Sequence, residues 1–477
     1  MRQKVVVAVA AVAAVALAPA AQAKTFTVTR SDDPAPGRCK PRDCSLREAV
    51  LAANSTARKD VIVLPRRKGA YVLQRQSARP ENGSRSGDLD VLRPLAIVHR
   101  GKGRATIDAK RVDRILHVDA GGALELKRLV LRGGRTTTQD NDGGAILADG
   151  FLRAVQVDFR GNRAAHGGSG GAIDSDSAAG ARIERCKFVG NRSTDNGGAI
   201  NGDDDGLLTV KRSVFRNNYA KDDGGALDNG SMRIERSQFI ANRADDEGGA
   251  IDYGGDEPLV ITASTLRKNS AADRGGGIDL SSWPGTARIL RSTFAENEAP
   301  RGGGLALGAT SAEVTNSTFA ENVATEVGGG MYVGEVVALT LNATTIARNS
   351  AGNLGGGIYS EPNSVTIVRN TILARNTAHP SNPDDGDCHL TGPDLLISGG
   401  HNLSTSWCEL GWTGDQPGVA NPGLGKLGKR GGPTPTVPLS EGSPAIDKAD
   451  PATAPAQDQR GRQRGPSPDV GAFERGA

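Results

Sequence analysis

The feature that most limits what this chain can fold into is a repeat of nearly fixed period. Gly143-Gly144-Ala145-Ile146 returns at residues 170–173, 197–200, 224–227, 248–251, 275–278, 302–305, 328–331 and 355–358. Its apolar position advances by 27, 27, 27, 24, 27, 27, 26 and 27 residues. A period of that size means stacked copies of one supersecondary unit. A second motif runs in phase. Phe159, Phe188, Phe215, Phe239, Leu266, Phe294, Phe319, Ile346 and Leu373 are each followed, three residues later, by an asparagine: Asn162, Asn191, Asn218, Asn242, Asn269, Asn297, Asn322, Asn349 and Asn376. Five residues before each of those apolar residues stands a small aliphatic one: Ala154, Ile183, Val210, Ile234, Ile261, Ile289, Val314, Leu341 and Val368. Each unit therefore reads as short strands separated by Gly and Asn turns. No unit holds a helical run of ten or more residues, which argues against helical and leucine-rich solenoids. One coil of a parallel β-solenoid fits, each coil stacking on the last at about 4.8 Å. Ile and Phe columns would fill the core, and the paired glycines would permit a tight corner of positive φ. The Asn column would satisfy turn backbone that is otherwise buried unpaired.

The GG[AG][ILM] and FxxN motifs resemble the repeats of the polymorphic outer membrane proteins, over roughly residues 140–376. The resemblance implies an all-β, right-handed parallel β-helix, a pectin-lyase-like solenoid. Those proteins end in a translocating β-barrel. The roughly 100 residues after 376 lack long alternating strands, so no barrel is expected here.

Residues 1–23 read as a secretory signal: Arg2 and Lys4, an apolar stretch over 5–17, then Ala21-Gln22-Ala23 as the cleavage site. The apolar stretch is too short to span a membrane, and no later one is long enough. The mature chain is expected to start near Lys24 and to work outside the cytoplasm or at the cell surface. Five cysteines suit that compartment. Cys39 and Cys44 are expected to close a small loop and Cys388 to pair with Cys408. Cys186 is left over, in a column otherwise filled by Ser213, Ser237, Ser264, Ser292, Ser317 and Thr344, and reads as a small core residue.

Residues 24–59 form a cap. Ser45 and Glu48 make a capping box, and Leu46, Val50 and the alanines give a short helix ending near Asn54 that covers the open first coil. Cys44-Ser45-Leu46-Arg47-Glu48-Ala49 is similar to the CSLREA segment of bacterial secreted proteins. Residues 60–376 are the β-helix, with looser coils up to 140. From 377 to 477 the register fades into an irregular segment. Gly399-Gly400-His401-Asn402-Leu403, Gly432-Pro433-Thr434-Pro435-Thr436, Gly442-Ser443-Pro444-Ala445-Ile446-Asp447, Asp458-Gln459-Arg460-Gly461 and Asp469-Val470-Gly471-Ala472-Phe473-Glu474 resemble, in order, the choice-of-anchor Q segment of secreted β-helix proteins. That resemblance implies some device of surface retention.

The chemistry-bearing motifs are few. Gly167-Gly168-Ser169-Gly170-Gly171 matches GxSxG but lies in a glycine turn, not on a strand-to-helix elbow. The six histidines lack metal-ligand spacing. No phosphate-binding glycine loop occurs. The net charge of +4 falls to +2 without Arg2 and Lys4 and gives no reason to expect nucleic acid. One constellation remains. The residue after each GGxI is Leu147, Asp174, Asn201, Asp228, Asp252, Asp279, Ala306, Tyr332 and Tyr359, a column that strand alternation turns outward. Asp176, Asp203, Asp204, Asp205, Asp222, Asp223, Asp245, Asp246, Glu247, Asp256 and Glu257 lie nearby, so the middle coils present an acidic stripe. The stripe is expected to be a solvated face. Two functional readings stand beside that. Asp174, Asp228, Asp252 and Asp279 are the candidate ligands of a structural cation such as Ca²⁺; no other cofactor is expected. Asp228 and Asp252, about 4.8 Å apart on adjacent coils, are the candidate carboxylate pair of a polysaccharide-degrading enzyme. A lyase would need a base beside the stripe, and Lys221, Arg274 and Arg301 are the candidates. The expected role is a secreted, non-enzymatic β-helix whose long face contacts extracellular polysaccharide or adhesive partners. A polysaccharide lyase or glycoside hydrolase is the alternative, and a structural surface component the third reading.

Overall fold

The computed structural model describes residues 23–77, 83–137, 141–202, 206–255, 258–280, 284–381, 385–391, 396–408 and 410–476. The signal-like segment through Gln22, and Asp203–205, Asp256 and Glu257, lie outside the described residues. The chain is a right-handed parallel β-helix. In the coil that begins at Gly143, Ile146–Ala148, Phe151–Val155 and Asp158–Arg160 lie in three different sheets. Among the described residues those sheets, called first, second and third in that order, hold 12, 14 and 13 strands. Every neighbouring pair in them is parallel, because each strand meets its counterpart one coil later. The sequence columns are the structural columns. Ile146 pairs with Ile173, Ala154 with Ile183 and Phe159 with Phe188. The inward rings of Phe159, Phe188, Phe215 and Phe239 stack face to face at 4.6, 4.6 and 4.8 Å between centroids.

Each coil turns three corners, and each corner has its own means of satisfying backbone. At the corner before the first sheet, the leading glycine of the pair adopts positive φ (63° at Gly143). A Cβ there would lie 2.2 Å from the Ile146 carbonyl oxygen, and one on Gly144 would lie 2.2 Å from that of Gly171. Any side chain at either position would split the stack. The corner after the third sheet carries the asparagine ladder. Asn242 Nδ2 donates to Asn269 Oδ1 (3.0 Å) on the next coil and to the Phe215 carbonyl (3.2 Å), while its Oδ1 accepts from the Asn218 amide (3.1 Å) and Nδ2 (2.9 Å). The corner between the second and third sheets carries a second ladder, which the sequence reading noted only as the column around Cys186. Ser237 Oγ accepts the Ser213 amide (3.2 Å), and Ser264 Oγ accepts that of Ser237 (3.1 Å). The residue before each ladder position is left-handed, a glycine at Gly161 and Gly190 but elsewhere a residue with a side chain, as at Arg212, Arg236 and Ala241 (50°, 50° and 53°). That conformation is uncommon for side chains with a Cβ; the ladder hydrogen bond at the next amide holds it.

Both ends are closed. Helix Leu46–Asn54 starts in the expected capping box: Ser45 Oγ accepts from the Glu48 amide (3.3 Å) and Glu48 Oε2 from the Ser45 amide (2.8 Å). Arg47, fully buried, holds the helix down. Its guanidinium pairs with Asp33 (2.8 and 3.0 Å) and donates to the carbonyls of Ser84, Ser86, Gly87 and Asp88. At the other end the strands Cys388–Leu390, Leu396–Ser398 and Leu403–Ser404 add one more coil beyond 376. The Asn ladder finishes on a carboxylate there, Asp387 Oδ1 accepting from the Asn376 amide and Nδ2 (3.1 and 2.9 Å).

The irregular segment after this coil is a strap. It folds back along the outside of the third sheet, where the outward residues change from Arg160, Arg216 and Arg267 to Ala295, Ala320, Ala347 and Ala374. Val437, Leu439, Val470 and Phe473 pack there against Ala320, Ala347, Ile372 and Ala374. The buried amide of Gln459 donates to Ser292 O (3.2 Å) and Thr293 Oγ1 (2.8 Å) and accepts from Thr318 Oγ1 (2.5 Å). The DQRG and DVGAFE motifs lock together: Arg460 reaches Asp458 (2.7 Å) and lies over the Phe473 ring (3.8 Å to its centroid).

Cys39 is bonded to Cys44 and Cys388 to Cys408. Cys186 is buried, its sulfur against the Ala154 and Glu184 carbonyls (3.4 Å each), and burial pushes its thiol up to about 12. Thiol titration of the intact, unreduced protein is therefore expected to show no reaction until denaturant is added, and then one equivalent. Reaction of the folded protein at neutral pH would contradict this burial.

Candidate functional site

The outward column after GGxI has the expected register. Asp174 pairs with Asn201, Asn201 with Asp228, Asp228 with Asp252 and Asp252 with Asp279. Its environment differs from the solvated stripe the sequence suggested. Asp174, Asp252 and Asp279 are only 2, 6 and 0% exposed, and Asp228 is half-buried. The glycine corner explains this. The positive-φ turn doubles the chain back, so the residue before each Gly-Gly faces the residue after the GGxI strand start. Asp223 and Asp228, Glu247 and Asp252, and Arg274 and Asp279 thus bracket three successive corners. The side chains of the leading column roof over the carboxylates of the trailing one.

Carboxylate oxygens of Glu247, Asp252 and Asp279 lie within 4.8 Å of one another. Asp252 Oδ1 is buried and receives no hydrogen bond. Burial, then the charges of Asp228 and Asp279, holds the Asp252 carboxyl well above the usual range. Asp223, in the leading column one coil before Glu247, is pushed up to about 6 by burial, reinforced by Asp222, Glu247 and Asp246 and opposed by the Glu247 amide, which donates to it at 2.9 Å. Arg274 supplies positive charge, its Nε donating to Glu247 Oε1 (3.0 Å). With Asp228, Glu247, Asp252 and Asp279 ionised, one guanidinium against four carboxylates leaves a local charge of −3.

The other candidates separate. Asp174 accepts from Asn201 Nδ2 (2.8 Å), and Asn201 stands between it and Asp228. Asp222, Asp223 and Asp246 form a more open cluster on the turns. Asp245 pairs with Arg243 (2.7 Å) and accepts from the Tyr219 hydroxyl. Of the proposed bases, Arg274 is paired with Glu247 and Arg301 with Asp273, and Lys221 is exposed. The Ser169 hydroxyl donates to Asp195 (3.0 Å), consistent with a corner residue. Glu247 is the functional candidate that strand alternation does not mark. The visible signal was its place directly before a glycine pair, five residues ahead of Asp252.

No protein-family model matches the chain, and no curated protein matches it. Among solved structures it is similar to the pectate lyase Pel9A, at 12% identity over 95% of this chain and 97% of that one, with a TM-score of 0.33. It is also similar to the A-module of the mannuronan C-5 epimerase AlgE6 of Azotobacter vinelandii, at 12% identity over 80% and 99% of the two chains, with a TM-score of 0.35. At that distance neither likeness bears on what this chain does.

Proposed function

We propose that the chain is an exported, non-enzymatic surface β-helix that contacts extracellular glycan, its middle coils held by a divalent cation at Glu247, Asp252 and Asp279. The single observation that carries the cation is the bare, buried Oδ1 of Asp252, a residue whose carboxylate lies within 4.8 Å of two others. An all-carboxylate set of oxygen ligands suits a hard cation such as Ca²⁺. Burial argues against catalysis: a glycosidase pair needs a similar separation, about 5–5.5 Å, but both its carboxyls must touch the sugar. Asp252 and Asp279 are covered by their own turns. Arg274 and Arg301 are paired with carboxylates, which leaves the exposed Lys221 as the one unpaired lyase base among the named candidates. Export is supported by the signal-like start, the two disulfides and the CSLREA and choice-of-anchor Q resemblances. The repeats' resemblance to polymorphic outer membrane proteins supports the surface role.

The test is melting temperature against pH, with Ca²⁺ or chelator. In chelator, the folded state keeps the Asp223 proton up to about 6 while the unfolded chain releases it near 3.8. The contribution of this group to stability therefore falls as pH rises from 3.8 to about 6 and is level above. Ca²⁺ requires ionised ligands, so its stabilisation grows as pH rises and the Asp252 carboxyl, held above the usual range by burial, gives up its proton. At a hundredfold excess over Kd it should reach about 2.7 kcal/mol. Wild type is expected to melt higher with Ca²⁺ at pH 7.5 but not at pH 4, and Asp252→Asn to lose the difference. Equal melting with and without Ca²⁺ at pH 7.5 would remove the cation. Release of reducing or unsaturated sugar from acidic polysaccharides, abolished in Asp252→Asn, would establish the enzyme instead.

A further inference from the structure

A second charged column stands on the Asn corner, one residue past the ladder. Arg135 pairs in register with Arg163, Arg163 with Arg192 and Arg192 with Tyr219. All three arginines are exposed, and with Arg111 they line a groove of about 360 Å³. Its floor is open because the positions before the ladder asparagines are glycines here. Gly161 and Gly190 are in the left-handed region (58° and 65°), and an added Cβ on either would meet nothing within 4 Å. Among the described residues no carboxylate pairs with Arg111, Arg135, Arg163 or Arg192; Arg192 lies over the Tyr219 ring (5.7 Å). The acids of the neighbouring strands are already engaged. Asp108 is held by Arg132 (2.9 Å) and Lys110 (3.5 Å), and Asp158 by Arg160 (2.5 Å) and Arg104 (3.4 Å). The run ends where Arg243 meets Asp245.

Like charges repeated at the coil rise of about 4.8 Å repel one another. A straight polyanion with one negative group per coil rise would relieve that repulsion, and guanidinium forks match carboxylates. A linear uronan is such a polyanion, with one carboxylate on each sugar. We propose that the groove of Arg111, Arg135, Arg163 and Arg192 binds a linear polyuronate, the chain lying along the helix axis with successive carboxylates on successive arginines. The proposal rests on the glycan-binding reading above and names its ligand class and site.

Immobilised polygalacturonate and alginate test it against neutral dextran and single-stranded DNA of equal charge density. The variant is Arg135→Gln/Arg163→Gln/Arg192→Gln, whose exposed positions leave the melting temperature unchanged. The expected result is retention of wild type on the polyuronates, at least about tenfold weaker binding by the variant, and release of wild type at about 0.5 M salt, where charges are strongly screened. Undiminished binding of the variant would overturn the groove and leave the glycan reading standing. Equal retention on DNA would replace the polyuronate with unselective polyanion binding. No retention of wild type on any glycan would overturn both.

Discussion

Glu474→Leu should cost about 3–5 kcal/mol and release the C-terminal strap before the β-helix melts. Glu474 accepts from Arg464 Nη1 (3.1 Å) and from the amides of Asp469 (2.9 Å) and Gly465 (3.0 Å). The Arg464 side chain is 2% exposed, and burial holds its guanidinium below the usual arginine range. Removing the carboxylate strands a buried cation, which costs far more than the intact pair contributes. Undocking also exposes Ala320, Ala347, Ile372 and Ala374, so a dye that reports apolar surface should bind the variant below its main transition. Arg464→Met/Glu474→Leu removes both charges and should recover much of the loss. A single-variant transition within a degree of wild type, without dye binding, would show that the strap does not depend on this pair.

Asn242→Leu should be comparably severe. Leucine fills the space but takes the acceptor from the Asn218 amide and Nδ2 and the side-chain donor from the Phe215 carbonyl, while Asn269 Oδ1 keeps only the amide of residue 242. At about 1–3 kcal/mol for each buried polar group so stranded, partial relaxation still leaves a loss of about 3 kcal/mol or more. Arg243→Ala, next along the chain, removes an exposed pair with Asp245 (2.7 Å) and should cost under about 1 kcal/mol. Denaturant melts of the two variants provide the comparison. Equal shifts would mean that the ladder amides exchange their partners for water at no cost.

The columns were legible in the sequence because every coil reuses the same corners. A glycine pair, a ladder asparagine and a core phenylalanine each recur at one phase, so register followed from counting. The burial of Asp252 and Asp279 was not legible. Alternation tells which side of a strand a residue leaves from, but the roof over it depends on how the glycine turn folds back. Glu247 enters the cluster through that turn. The arginine column stands one residue past each ladder Asn, and its signal is composition at a single phase: Arg163 and Arg192, then Tyr219, Arg243, Ser270 and Glu298. The strap is marked by a change in residues that lie beneath it but far from its motifs in sequence. Lys187, Arg216 and Arg267 on the outer third sheet give way to the Thr-Phe-Ala and Thr-Ile-Ala strands at 293–295, 318–320 and 345–347. The extra coil at 388–404 was hidden because Asp387 stands in for the ladder asparagine.

In a solenoid each rung is normally braced only by the rungs beside it. The strap departs from this by gripping Ser292, Thr318, Thr345 and Asn370 on four successive rungs, the last through the Asp450 amide (2.8 Å). Those rungs cannot fray one at a time. The opposite end is fastened by the Arg47 clamp. Heat or tension must therefore enter between the two fastenings, in the long span between the Arg47 clamp at Asp88 and the strap's first hold at Arg291 and Ser292. Glu247, Asp252 and Asp279 sit in that span. An ion there would be a third fastening at the middle of the rod, and its loss would turn a stiff rod into two stiff halves joined by a softer length.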